Sequence, residues 1–299
     1  MTIDWLVRDL IAVGGAIELF GATESRKSFL AMQFARAVAT GTTFLGFDVP
    51  MRHRVLYVQY ELTEQQIRFR SAPHANALAD VYLPDDVQLG QLYNRARWQD
   101  MLDGIAQVQP GLLILDPLVT MVRNLNDGAQ MAALLYTQLS TVCFQHGITV
   151  LVVHHPHKPP RDREGELIDE GVHAASGSDV VSWWAHTILQ LRRHDKTRST
   201  LLVKKCRDSY ETSGIQLQLR WDDTAKVFIR EADPAVRLKA SMELIPPEGI
   251  AAAQWHRSVE TTFGVARATT QEMFKRLLEH GDIEFTPGKG NTGTIHRKG

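Results

Sequence analysis

The sequence predicts an α/β protein whose larger part carries a mostly parallel sheet extended by antiparallel strands, followed by a small helical module. Three observations lead there. Short apolar runs alternate with helical patterns over much of the chain, as β-α units require. A glycine-to-helix turn ending in Lys-Ser follows one of these runs. Near Asp233-Pro234 the strand-rich pattern gives way to helical spacing. We therefore divide the chain into a domain over residues 1–233 and a second over 234–299.

Four runs define the sheet: residues 16–20, 55–58, 112–115 and 148–153. Phe29, Leu30, Phe34, Ala37 and Val38 recur at helical spacing, so a helix starts at Lys27, and Gly41 is its end signal. From residue 187 to 231 four more runs, separated by polar turns, read as antiparallel strands extending the sheet. Residues 156–177 carry Pro156, Pro159, Pro160, Gly165 and Gly171 among many charges and read as a long mobile loop, of a length that is usually functional or disordered.

Length and composition fit this division. A chain of 299 residues suits one large core with an accessory module. Its 44% hydrophobic and 22% charged residues are ordinary for a globular protein, and a formal charge of -1 leaves any nucleic-acid contact to local patches. Cys143 and Cys206 form no CxxC pair, which suggests a reducing compartment and argues against a thiolate zinc site. The first residues are acidic where a signal peptide is basic, and no apolar run reaches the roughly 18 residues of a membrane span. The chain reads as cytoplasmic, with no membrane partner.

Gly21-Ala22-Thr23-Glu24-Ser25-Arg26-Lys27-Ser28 has the pattern of a phosphate-binding Walker A loop. Backbone N–H groups and the following helix N-terminus form an anion cradle; Lys27 offers charge to the β- and γ-phosphates, and Ser28 offers a hydroxyl to Mg²⁺. Arg26 replaces the second glycine, at a cost of about 1 kcal/mol if that backbone is left-handed. Other strand ends carry apt residues: Glu61 after the second run, Asp116 closing the third as a Walker B aspartate would, and His154-His155 closing the fourth. Ligands of open α/β sheets bind at these carboxyl ends. Each residue also admits a plainer reading: Glu61 as a surface acid, Asp116-Pro117 as a turn, and Lys205 and Arg207 as a solvated basic edge. His154, His155 and His157 make a poor metal set, because adjacent strand residues point to opposite faces.

In order, GATESRKSFLAMQFARAVATG, VLYVQYE, LLILDPL, VLVVHHPHK and LLVKKCR resemble the RecA-like hexameric replicative helicases of plasmids and phages, the RepA/DnaB-type ATPases. The resemblance covers roughly residues 5 to 230. It implies a RecA-like P-loop core using ATP and Mg²⁺, with Glu61 as general base, Asp116 organising Mg²⁺ through its water shell, and His155 sensing the γ-phosphate. It further implies that Lys205 and Arg207 reach the ATP of a neighbouring subunit in a homo-oligomer, a hexamer in that family.

The last residues suggest helices over 238–244, 251–262 and 268–278, then two short strands around a Pro287-Gly288 turn. Phe263-Gly264-Val265 followed by Arg267-Ala268-Thr269 resembles a helix-turn-helix, and the whole resembles a winged helix. Arg267, Thr269, Lys275 and Lys289 are its candidate duplex-DNA contacts, and Lys158, Arg161 and Arg163 are candidate single-strand contacts in the long loop. The expected function is ATP-driven translocation on single-stranded DNA in replication of a plasmid, phage or mobile element, with primase or initiator as separate partners. The rivals are a recombination mediator or helicase loader, and a nucleotide-gated DNA-binding regulator.

Overall fold

A computed structural model describes residues 3–84, 92, 94–122, 127–154, 179–232, 234–263, 265–288 and 293–298. The chain divides into two compact units, Met1–Glu231 and Ala232–Gly299.

The first unit opens with a hairpin of β1 (Trp5–Val7) and β2 (Ile11–Ala12). There follow β3 (Ala16–Phe20), α1 (Lys27–Thr40), β4 (Val55–Gln59), α2 (Glu64–Ser71), β5 (Val81–Tyr82), α3 (Arg95–Val108) and β6 (Leu112–Asp116). A helical body follows: α4 (Gly128–Ala132), a π-helical stretch at Ala133–Leu139 and α5 (Ser140–His146). Then come β7 (Thr149–His154), α6 (Asp179–Trp184), β8 (Thr187–Arg193), β9 (Arg198–Cys206), β10 (Gln216–Asp222) and β11 (Val227–Arg230).

Nine strands form one sheet in the order β11-β10-β9-β8-β3-β7-β6-β4-β5. The six strands from β8 to β5 are parallel, and β9, β10 and β11 extend the sheet antiparallel. One sequence expectation needs correction here. The run beginning at Thr187 is not an antiparallel addition to the parallel strands: β8 pairs in parallel with β3, Ile17 opposite Thr187 and Phe20 opposite Gln190. Its entry from helix α6 makes it a strand reached by crossover, and parallel pairing requires such a connection.

The central strands read as unbroken apolar runs because both of their faces are buried. In β6, Leu112 and Ile114 face the layer of α1, whereas Leu113 and Leu115 face that of α3, α5 and α6. Helix α1 presents Leu30, Phe34 and Val38 to the first layer and ends at Gly41, whose φ of 68° a glycine adopts freely.

The second unit has the order α7 (Pro234–Glu243), β12 (Ile250–Ala251), α8 (Ala252–Phe263), α9 (Arg267–His280), β13 (Ile283–Pro287) and β14 (Gly293–Arg297). Its sheet runs β12-β14-β13, with both pairings antiparallel. Strand β12 escaped the sequence reading, because two residues are too few for a period. The core gathers on Trp255, with Val259, Leu277, Ile283 and Ile295, and the indole Nε1 donates to the Ser241 carbonyl at 2.9 Å. Trp255→Ala is expected to lower the stability of this unit by about 3–5 kcal/mol. Hydrogen exchange of the α8 and α9 amides in the full-length chain checks it; unchanged protection there would deny Trp255 this role.

Candidate nucleotide-binding site

The loop between β3 and α1 is shaped by close packing at both ends. At Gly21 a Cβ would collide with the Leu191 carbonyl oxygen on β8, so only glycine fits. Ser25 N donates to the Ala22 carbonyl at 3.1 Å, and Glu24 and Arg26 both take left-handed backbone, with φ of 63° and 69°. The strain expected for Arg26 is therefore present. Leu30 N donates to the Arg26 carbonyl at 3.1 Å, which begins the ladder of α1. Arg193, at the end of β8, donates from Nη1 to the Glu24 carbonyl at 3.1 Å and ties the loop to the sheet.

Lys27 lies over this turn, donating from Nζ to the carbonyls of Gly21 at 2.7 Å and Ala22 at 2.9 Å. Burial lowers its ammonium pKa to about 8, against the opposing charges of Asp116 and Glu61. The hydroxyl of Ser25 is buried inside the loop without a hydrogen-bond partner. A desolvated cation and a buried hydroxyl without a partner, both beside the N-terminus of α1, suit a phosphate.

Oxygen donors lie near Lys27, from β6 and the first turn of α1. Asp116, at the end of β6, is almost fully buried and accepts from Tyr57 Oη on β4 at 2.7 Å and from the Ser28 side chain. Burial raises the Asp116 carboxyl, the bonds from Tyr57 and Ser28 oppose the shift, and the nearby Glu61 adds to it. Among the described residues no group of three or more His, Cys, Asp or Glu is placed to hold a metal. The oxygens of Ser28 and Asp116 suit Mg²⁺, which takes few protein ligands and completes its octahedron with water and phosphate.

Glu61 stands just beyond β4, exposed, with its charge felt by both Lys27 and Asp116. Its turn is fixed by Tyr60 N donating to the Asp116 carbonyl at 3.0 Å and by Leu62 N donating to Gln59 Oε1 at 2.8 Å. Thr63 and Gln66 form a capping box that starts α2. The ends of β3, β4 and β6 thus bring Lys27, Ser28, Asp116 and Glu61 together. His154 closes β7 opposite Phe20 and is buried. His155, Lys158, Arg161, Arg163 and Lys289 lie outside the described residues.

Lys205 and Arg207 sit elsewhere. Cys206 pairs with Thr187, which lies opposite Ile17 near the start of β3, so these cations are roughly 13 Å along the strand from their own loop. Strand β9 is interior to the sheet, so it supplies no solvated edge for them. Lys205 Nζ donates to the carbonyls of Ser182 at 2.9 Å and Ala185 at 2.6 Å, and its charge bears on Glu18 in the middle of β3. Burial pushes that carboxyl up to about 8, against the Ser182 hydroxyl bond and the charge of Lys205. Arg207 is exposed. In the second unit Arg267 donates to Glu260 at 3.3 Å, Lys275 stands 3.8 Å from Glu279, and Thr269 is exposed.

Tyr57 and Arg193 were missed from sequence. A signal for Tyr57 was present: a buried tyrosine hydroxyl in an apolar strand requires a partner. Removing that donor tests its importance. Tyr57→Phe is expected to destabilise the fold by about 1–3 kcal/mol at pH 7. The Asp116 pKa is already raised in the fold, and losing the bond raises it further. The loss should therefore shrink as pH falls and Asp116 takes up its proton. Urea unfolding at pH 5 and pH 7 measures this, and an equal loss at both would separate Tyr57 from the Asp116 charge.

Residues 2–161, more than half of the chain, match the AAA domain family. A comparison with the curated proteins finds no match. Among solved structures, an ATPase domain is similar, with 12% identity and a TM-score of 0.54 over 73% of this chain and 85% of that one. So is the KaiC-like protein PH0186 from the hyperthermophilic archaeon Pyrococcus horikoshii OT3, with 14% identity and a TM-score of 0.52 over 76% of this chain and 94% of that one. At such identities the likeness is one of fold, an α/β architecture of RecA-like P-loop type around a large, mostly parallel sheet. The chain belongs to the AAA domain family, a membership that implies nucleotide binding.

Proposed function

We propose that the chain is a Mg²⁺-dependent ATPase that works as a ring-shaped homo-oligomer, a hexamer by resemblance, and translocates on single-stranded DNA during replication of a plasmid, phage or mobile element. The observation that carries this reading is the meeting of Lys27, Ser28, Asp116 and Glu61 at the carboxyl ends of β3, β6 and β4, while Arg207 stands exposed at the other end of the sheet. ATP, when bound, would supply the phosphoryl group, and Mg²⁺ would supply positive charge to stabilise its transfer. Lys27 would bind the phosphate oxygens, Ser28 and Asp116 would hold the cation, and the exposed Glu61 would accept a proton from the attacking water. Arg207 is far from its own loop, so its use at a nucleotide requires a second copy, and a ring of heterologous interfaces provides one.

The second unit, in this reading, is a winged helix. Its order α7-β12-α8-α9-β13-β14 and its sheet β12-β14-β13 support that reading, with α9 as the recognition helix. Duplex contact by Arg267 and Lys275 would exchange their Glu260 and Glu279 partners for phosphates. Among the described residues no helix is long and apolar enough to cross a membrane. Work on replicating DNA places the chain, in this reading, in the cytoplasm.

An ATPase assay with and without single-stranded DNA tests the proposal. Stimulation by the single strand together with strand separation is expected; stimulation without separation would favour a loader or recombination mediator. Sequence-specific duplex binding without stimulation would favour a nucleotide-gated regulator. In the same assay Lys27→Ala should lose nucleotide binding with its fold intact, and Glu61→Gln should bind ATP yet hydrolyse it poorly, because an amide takes up no proton. Normal turnover by Lys27→Ala would remove the loop from the site.

Burial of Lys27 yields a pH prediction. Its folded pKa of about 8 lies below the ordinary 10.5, so above pH 8 the free site has released a proton that bound phosphate would restore. ADP binding at pH 8.5 should therefore take up protons, read by calorimetry in buffers of different ionisation enthalpy. Binding with no proton uptake would contradict the assignment of Lys27.

A further inference from the structure

Arg26 occupies the loop position where the motif has glycine, and its φ of 69° and ψ of 31° are left-handed, a conformation that a residue with a Cβ rarely holds unaided. It makes no side-chain cap to α1. Support comes from a distant strand. The guanidinium lies over the indole of Trp221 on β10, 4.7 Å from the ring centroid, and Arg26 Nη1 is buried with no hydrogen-bond partner. Trp221 is itself held firmly: buried, edge-on to Phe29 of α1 at 5.0 Å and to Phe228 of β11 at 5.1 Å. Its Nε1 donates to Asp223 Oδ1 at 3.1 Å, and the same oxygen accepts from Lys226 Nζ at 3.1 Å.

A planar cation stacked on a fixed aromatic face has little freedom to turn, so the stack restrains the backbone that carries it. We propose that Trp221 is a positioning residue for the phosphate loop: by stacking on Arg26 it holds the left-handed turn that glycine would supply, and so keeps the amides after it aimed at the phosphates. The inference rests on reading residues 21–28 as the phosphate loop. It makes the β10–β11 hairpin part of the nucleotide site, although neither strand touches the loop's anion cradle through a hydrogen bond among the described contacts.

A double-mutant cycle on the full-length chain tests it, with ADP in the presence of Mg²⁺ as probe and calorimetry as readout. Trp221→Leu should weaken ADP binding about tenfold, the scale of a desolvated cation–π contact. Trp221→Phe, which keeps an aromatic face, should retain most of the affinity. In an Arg26→Gly background, where glycine holds the turn by itself, adding Trp221→Leu should change the affinity less than about twofold. An equal loss from Trp221→Leu in both backgrounds would make Trp221 a merely structural core residue and overturn the proposal, as would no loss in either. Failure of the wild-type chain to bind ADP would overturn the phosphate-loop reading itself, and this proposal with it.

Discussion

A carboxylate taken out of water at the end of a buried strand must be met by hydrogen bonds or it takes up a proton. Asp116 is in that position, and the rest of the site is arranged around it. Tyr57 reaches it from β4, Ser28 from the first turn of α1, and the charges of Lys27 and Glu61 act on it from either side. Tyr57 is fully buried, so its hydroxyl is cut off from water and bonds Asp116 at 2.7 Å, with the Ser28 carbonyl at 3.4 Å. Strand β7 pairs with both β3 and β6, and β6 pairs with β4, so the sheet itself brings these residues to one end.

The sheet explains why the polar residues gather where they do. Its central strands are covered on both faces, and polar side chains within them are costly unless partnered. Glu18 shows the cost: in the middle of β3 it is pushed towards the neutral form, with Ser182 and Lys205 drawn to it. At the carboxyl ends Asp116 is still buried, but the exposed Glu61 follows beyond β4, in the region where ligands of open α/β sheets bind. The distribution of charge in this unit follows from its layers.

The same topology separates two sets of cations. Lys27 lies at the ligand end, whereas Lys205 and Arg207 follow the antiparallel strand β9 to the other end. They are not equivalent there. Lys205 is occupied by the carbonyls at the end of α6 and by the charge of Glu18, while Arg207 remains exposed.

Sequence alone determined what depends on neighbours in the chain. Unbroken apolar runs marked strands buried on both faces, helical spacing after Lys27 marked α1, and Gly21 with Lys27-Ser28 marked the loop, because backbone geometry and local burial write these patterns. Glu61 and Asp116 were legible because Asp116 ends its strand and Glu61 follows the end of its own by two residues. Tertiary structure decided the rest, because it joins residues remote in sequence. The parallel setting of β8 depended on a crossover through α6; the partner of Asp116 came from β4, and the support of Arg26 from β10. No periodicity records which aromatic ring will lie beneath a guanidinium, since that is fixed only when the sheet closes and its far strands pack against α1.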